Sequence, residues 1–448
     1  MASRIQLFLT LLIWASNFPA FAATTVNPRQ TTALPVRERL SLNLGWKFQR
    51  STSNPDSLSY GKLKAWILPS ANDFISDTSK RARRPADQPA NVTFAQPSFD
   101  DSAWESLNLP HDWAVNGPFY TGANAVIGGG MGRLPIQGIA WYRRKFTVGE
   151  SDKGKSIFLE IDGAMSYAMV WLNGFLVGGW PYGYASFNLD LTPYIQPGEN
   201  QLAIRLDNAV DSSRFYPGAG IYRNVWLTKV SPVHVAYHGT WVTSKQVSRQ
   251  SATLDIVVQV ENTATSGSDT DIEAATDIHV FDPVFGKAGD KVGQFPTSKL
   301  SLGPGKKQTI NSTVTLQNPR LWGPRPSQEP NLYVAITRLR SSGQAIDEYS
   351  TRFGIRSVQY SGDGLRVNGE RVYIQGVNQH HDLGAIGAAF NIPAAERQLE
   401  MLQDMGCNAI RTSHNPPAPE LLDLADQMGI LMLDEIFGAF KTPASENP

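Results

Sequence analysis

The sequence predicts a multidomain, mainly β protein: two β-sandwiches in succession, then an incomplete (β/α)8 barrel represented by its first three strands. Three observations predict it. Between Leu40 and Val358, short runs alternate apolar and polar residues with a period of two, and turn-forming pairs punctuate them. After Tyr373 the pattern changes to short apolar runs separated by stretches with helical spacing. Polar residues then gather behind those apolar runs, where a β/α repeat has the C-terminal ends of its strands.

The 448 residues allow roughly two to four domains. At the start, Arg4, an apolar run from Ile5 to Ala15 and the small-residue stretch Ala20-Phe21-Ala22 predict a cleaved leader over residues 1–22. A periplasmic or secreted location follows. The apolar run is too short to span a bilayer, and no later run is longer, so no membrane partner is expected. Lys and Arg (40) balance Asp and Glu (40), which gives no field for nucleic acid. The basic run Lys80, Arg81, Arg83, Arg84 lies among Ser, Pro and Asp and reads as a solvated loop. Cys407 is the only cysteine, so no internal disulfide can form. It falls in an apolar strand pattern and reads as packing.

The first sandwich, residues 36–231, alternates at Ile157, Leu159, Ile161 and again at Leu202, Ile204, Leu206. Asn173-Gly174 predicts a tight hairpin turn, and Gln196-Pro197-Gly198 marks another. That spacing of short strands predicts a jelly-roll β-sandwich. Asn54 to Gln96 is polar, Pro-rich and weakly patterned, and reads as an inserted loop. The second sandwich, residues 232–358, alternates at Leu254, Ile256, Val258, Val260 and at Leu332, Val334, Ile336, with turns at Gly303-Pro304-Gly305 and Asn318-Pro319. Its length and short strands predict an immunoglobulin-like sandwich. With no ionisable cluster evident, it reads as a spacer.

Residues 359–448 carry the barrel pattern. A hairpin over Arg366–Ile374 turns at Asn368-Gly369. The first strand runs through Gln375-Gly376-Val377 to Asn378. Asn391-Ile392-Pro393 opens a helix whose Ala395, Leu399 and Leu402 share a face, and Gly406 stops it. Cys407 to Ile410 is the second strand, ending in Arg411-Thr412-Ser413-His414. A second helix buries Leu421, Ala425 and Met428 and stops at Gly429. Ile430 to Leu433 is the third strand, followed by Asp434-Glu435. Strands alternating with helices imply parallel pairing through right-handed crossovers.

The segments GVNQHHDLGAIGAA, CNAIRTSHNPPAPELLDLADQMGI and LMLDE resemble the first three barrel strands of glycoside hydrolase family 2, and HHDLGA is most similar to its β-galactosidases. Leu109-Pro110-His111-Asp112-Trp113, Trp141-Tyr142-Arg143, Trp171-Leu172-Asn173-Gly174 and Gly220-Ile221-Tyr222-Arg223 resemble the family's N-terminal sugar-binding domain. Leu321-Trp322, Pro330-Asn331-Leu332-Tyr333 and Phe353-Gly354-Ile355-Arg356 resemble its linker domain. The resemblance implies retaining hydrolysis of terminal β-D-galactose. The RTSHNP-like segment is shared with β-glucuronidases and β-mannosidases, so a β-glucuronide is the alternative substrate.

Retention needs two carboxyl groups about 5–5.5 Å apart across the scissile bond. By resemblance these are Glu residues on the fourth and seventh barrel strands, beyond the last residue here, and a complete barrel takes about 250 residues. The expectation is therefore a chain without a catalytic residue, inactive alone. A non-catalytic carbohydrate-binding fragment and one half of a split enzyme are the alternatives. Asp434 and Glu435 are neighbours on one strand and point to opposite faces, so they cannot flank one bond.

The resemblance assigns His380 and His414 to sugar hydroxyls, and Asp207 to a galactose contact from the jelly roll, with Asp211 a weaker candidate. Each could instead be structural, a loop cap or an Asx turn. Asn378, Arg411, Asp434 and Glu435 read as support of the site, with the Arg411 fork holding carboxylates. His381 reads as structural. Trp180, Tyr182 and Tyr184 are core or stacking aromatics. A metal site built on His380 and His414 lacks a third ligand. No cofactor is evident. Magnesium or sodium follows only from the resemblance, and Ala439 stands where large bacterial β-galactosidases carry a magnesium-binding Glu. The expected partners are a carbohydrate substrate and, at the open strands, a second copy or a complementing C-terminal polypeptide.

Overall fold

The structure is a computed structural model that describes residues 36–59, 61, 92–122, 133–209 and 215–436. The predicted leader, the Lys80–Arg84 run, Asp211 and Ala439 lie outside the described residues. No helix among the described residues is long and apolar enough to cross a membrane.

The chain is mainly β, as the alternation predicts. The first sandwich packs a four-stranded antiparallel sheet, in the order Glu38–Ser41, Val225–Val230, Ser156–Ile161, Phe187–Asp190, against a six-stranded one. The second sheet runs Glu105–Leu107, Trp46–Ser51, Gly138–Val148, Gly198–Asn208, Ala168–Leu172, Phe175–Trp180. Ile157, Leu159, Ile161 and Leu202, Ile204, Leu206 face one another in its core, all nearly or wholly buried. Asn173 and Gly174 both take positive φ, as a tight hairpin turn requires.

The outer face of the larger sheet is covered too. Asp56 and Leu58, at the start of the segment read as an inserted loop, clamp onto it. The Asp56 carboxylate accepts from Arg205 and from Trp141 Nε1, both at 2.8 Å, and Arg205 also donates to the Leu58 carbonyl. A buried guanidinium would be costly alone. The first residues of this segment are therefore anchored to the sheet, and residues 62–91 of it lie outside the described residues.

In the second sandwich, the sheet of Val233–Lys245, Ser251–Asn262 and Lys307–Gln317 faces one built on Thr270–Asp282, Tyr333–Ser341 and Gln344–Phe353. Leu254, Ile256, Val258 and Val260 fill the space between. Leu332, Val334 and Ile336 are buried on the other side of their strand, in a separate cluster with Phe281 and Trp322 against which Leu431 packs. Tyr333, Ala335 and Leu339 are the ones that face the inter-sheet core. The domain also carries ion pairs that the sequence did not announce: Asp277 with Lys291 and Arg338, and Glu261 with His234 and Lys307.

The last segment forms three parallel strands, Gly376–Gln379, Ala409–Thr412 and Leu431–Leu433, joined by the helices Ile392–Asp404 and Pro419–Met428. Asn391 caps the first helix by accepting from Ala394 N, and Gly429 ends the second at φ 75°. Ala395, Leu399, Leu421 and Ala425 bury one face of the helix pair with Ile410 and Ile430. Strand starts move by one or two residues for identifiable reasons. Asn408 closes onto the hairpin, its side chain accepting from Gln375 N and donating to the Tyr373 carbonyl, so the second strand begins at Ala409. Cys407 consequently lies before the strand and is half-buried rather than in it. Ile430 donates back to Ala425, which delays the third strand to Leu431.

Candidate functional site

Parallel register brings the polar strand ends together. Asn378 is opposite Arg411, and Gln379 is opposite Thr412. The pairing extends one step further, Ser413 N donating to the Gln379 carbonyl at 2.9 Å. Two residues that follow these strands, His380 and His414, therefore meet edge to face with ring centres 5.9 Å apart.

The third strand supplies the carboxylate that anchors one of them. His414 Nδ1 lies 2.8 Å from Glu435 Oε2 and so carries its proton there, which makes Nε2 the acceptor nitrogen of the neutral ring. Arg411 pairs with the other oxygen of Glu435 and donates to Asn378 Oδ1 at 3.1 Å. Burial alone would raise the Glu435 carboxyl. The bonds from His414 and Arg411 outweigh it and hold the group below the usual carboxylate range. Asp434 points elsewhere, to Thr412 Oγ1 at 3.3 Å, and burial raises its carboxyl. The two neighbours thus face apart, although both lie just past Leu433, the last residue of the strand.

The jelly roll walls this group from the side. Phe215 is buried, with its ring centre 5.2 Å from His380, 6.0 Å from His414 and 6.1 Å from His381. Such ring pairs contribute about 0.5–1.5 kcal/mol beyond area burial and fix orientation. Tyr184 packs on Phe215 and His381, and Tyr182 donates to the Ile436 carbonyl at 3.0 Å. Trp180 packs instead on the jelly-roll core. His381 Nε2 lies 3.1 Å from the Pro217 carbonyl, and burial pushes its pKa down to about 3. It is a neutral ring serving structure.

Two buried groups hold the jelly roll against the barrel strands. Asp112 accepts from Ala114 N, Ala219 N, Ala388 N and the Tyr216 hydroxyl, so one carboxylate joins three segments of chain. The backbones must come very close for this. A Cβ on Gly218 would lie 2.3 Å from Ala388 Cβ, and one on Gly387 2.4 Å from Asp112 Oδ2, and both glycines have positive φ. Arg223 donates to the Pro416 carbonyl at 2.7 Å and to the Tyr184 carbonyl at 2.8 Å.

Asp207 is not drawn into the histidine group by a hydrogen bond. Its carboxylate pairs with Arg205 at 3.2 Å. Sequence reasoning missed Phe215, which carries no periodic or motif signal of its own, and it read Ser413, Asn415, Asp112 and Arg223 only as motif members. At Glu435, the carboxylate beside the histidines, magnesium fits poorly. Among the described residues no three His, Cys, Asp or Glu side chains come together as ligands. Both Glu435 oxygens are already taken by Arg411 and His414.

Three family models match consecutive stretches of the chain: glycosyl hydrolases family 2, sugar binding domain, over residues 90–232; glycosyl hydrolases family 2 over 233–356; and glycosyl hydrolases family 2, TIM barrel domain, over 358–441. The β-galactosidase BoGH2A of Bacteroides ovatus is 42% identical over 350 residues, which cover 78% of this chain and 39% of that protein. The crystal structure of a β-glycosidase from Bacteroides vulgatus aligns with TM-score 0.70 at 31% identity, over 89% of this chain and 44% of that one. The Bacteroides uniformis β-glucuronidase 2 covalently bound to cyclophellitol-6-carboxylate aziridine aligns with TM-score 0.71 at 27% identity, over 91% and 43%. The chain thus spans less than half the length of these relatives.

Proposed function

The chain belongs to glycosyl hydrolase family 2, and on that premise we propose that it is the sugar-recognising portion of a retaining β-galactosidase. In this reading His380 and His414 hydrogen-bond hydroxyls of the terminal galactose, and Phe215 holds both rings upright. Glu435, held in turn by Arg411, fixes the His414 proton on Nδ1, so its Nε2 accepts from a sugar hydroxyl. Such a bond strengthens as the ring distorts toward the transition state. The observation that carries the reading is the His380–His414–Phe215 group at the C-terminal ends of parallel strands, with Glu435 clamped behind it.

The catalytic carboxylate pair is not supplied by these residues. Glu435 is engaged by two cationic or donor groups, and Asp434 faces Thr412. Galactoside is favoured over glucuronide by charge. A glucuronate carboxylate calls for an available cation, whereas among the described residues at the site Arg411 is committed to Glu435 and Asn378, and Arg223 to backbone carbonyls.

The test is calorimetric titration of the purified chain with methyl β-galactoside and with methyl β-glucuronide, alongside an assay with chromogenic forms of each. Heat with the galactoside alone, and no turnover, is expected. A preference for the glucuronide would overturn the substrate. Turnover lost on replacing a residue present here would overturn the division of labour.

A further inference from the structure

Three consecutive residues of the jelly roll reach three different places in the barrel segment. The Tyr222 carbonyl accepts from Phe390 N at 2.9 Å, near the end of the loop that starts at His380. The Arg223 guanidinium donates to the Pro416 carbonyl at 2.7 Å, in the loop that follows the second parallel strand. The Asn224 side-chain amide donates to Glu420 Oε1, in the first turn of the helix Pro419–Met428. The backing of this tripeptide is firm. Val225 starts a strand paired on both sides, and Asn43 accepts from Val225 N at 3.0 Å and donates to Asn224 Oδ1 at 2.7 Å.

Arg223 does the most of the three. It is 2% exposed, and its guanidinium donates not only to Pro416 but to the Tyr184 carbonyl at 2.8 Å and the Asp162 carbonyl at 3.2 Å. Carbonyls in three directions suit a planar fork of N–H donors; a lysine ammonium is a compact charge on a flexible stem and has no such fork. The stem is confined as well, since a Cβ on Gly163 would lie 2.8 Å from Arg223 Cδ. Tyr184 is the ring that packs on Phe215 and His381, so one side chain holds both the aromatic wall and the chain just past His414. His414 is then fixed from two directions. Glu435 holds its ring, and Arg223 holds its backbone through Pro416, whose carbonyl also accepts from Asn415 at 3.0 Å.

We propose that Arg223 is a positioning residue: it sets where His414 stands against His380 and the Phe215 wall, and so how tightly the rim holds a sugar hydroxyl, without itself touching the sugar. The clause on the sugar rests on the galactosidase reading. The clause on His414 does not, so the two can fail separately.

The experiment reads His414 directly, by ring-nitrogen NMR of the full chain labelled at histidine, well below the unfolding transition of each variant. The parent should show His414 protonated on Nδ1. Arg223→Lys keeps the charge and loses the fork; its His414 signals should move toward an exchanging mixture of tautomers. In calorimetric titration the same variant should bind methyl β-galactoside about tenfold more weakly, the loss of roughly one hydrogen bond. Gly163→Ala keeps the arginine and crowds its stem, and should shift the same signals by less; it carries the test if R223K does not fold. His414 signals unmoved in the folded variants would overturn the proposal. So would equal shifts at His279, in the second sandwich, which would mark a change of the whole molecule. A parent that binds no galactoside would sink the galactosidase reading and leave Arg223 to be judged on the His414 signals.

Discussion

Both β-sandwiches touch the barrel strands, and they touch different sides of them. The jelly roll meets the strand ends, with Phe215, Tyr184, Asp112 and Arg223 set around the histidines. The immunoglobulin-like domain meets the far end of the second helix. There Trp322 Nε1 donates to the Asp426 carbonyl, Arg325 N to the Gly429 carbonyl, and Arg352 pairs with Asp423. The first contact is aromatic, polar and close to the proposed sugar. The second is an apolar cluster of Trp322, Leu332 and Val334 closed by Leu431. A module's role is thus set by which end of the parallel strands it covers, more than by its fold, since the two sandwiches are alike in class.

Five measurements tell the two contacts apart. The largest effect belongs to Trp322→Ala, which should cost about 3–5 kcal/mol as a buried aromatic is lost. Denaturant unfolding would measure it, and the ring-nitrogen spectrum of His380 and His414 should not change below the transition. A changed spectrum would mean that the spacer side also shapes the site.

Next is Asp112→Ala, expected to cost about 2–3 kcal/mol because four donors lose their acceptor. Here the His380 and His381 signals should move together, with Asp112→Asn restoring part of both. Loss of stability with unmoved signals would confine Asp112 to packing.

Acid should weaken the jelly-roll side first. His381 and His111 are held by burial at about 3 and about 4, below their unfolded value near 6.5. The unfolded chain therefore takes up protons first, and stability falls as pH drops below about 6.5. Between there and pH 5 the loss should reach on the order of 2 kcal/mol for each ring. His111→Gln should flatten part of the slope, and an unaltered profile would count against it.

Asp162 runs the other way. Burial raises it to about 6, so its ionisation opposes folding as pH rises through that value. Asp162→Asn keeps an acceptor for Trp226 Nε1 and should stabilise by on the order of 1–2 kcal/mol at pH 8. The gain should vanish below pH 4, and a pH-independent gain would point to packing instead.

Arg352→Ala is the smallest effect. Asp423 is more than half exposed, and the loss should stay below about 1 kcal/mol. A larger loss would show the spacer contact to be electrostatic rather than apolar.

Most of the fold was legible because its signals are local. Asn173-Gly174 and Asn368-Gly369 specify turns through their own φ preferences. Ile157, Leu159 and Ile161 specify a buried face through spacing alone, and Asn391 and Gly429 bound their helices by chemistry read within a few residues. Where such signals competed with longer-range bonds they slipped. Asn408 delayed a strand, and Leu332, Val334 and Ile336 proved buried on the face opposite the sandwich core.

From the sequence by itself came the order of modules, the parallel strands and the grouping of His380, Arg411, His414 and Glu435 near strand ends, since periodicity and turn chemistry act within one segment. Tertiary structure alone decided that Phe215 would pack on His380, His381 and His414, and that Asp112 would join three segments. The physical reason is that each of these is a contact between residues far apart in the chain. Such a contact is stabilised only when both partners are already folded, and it leaves no pattern in either stretch alone.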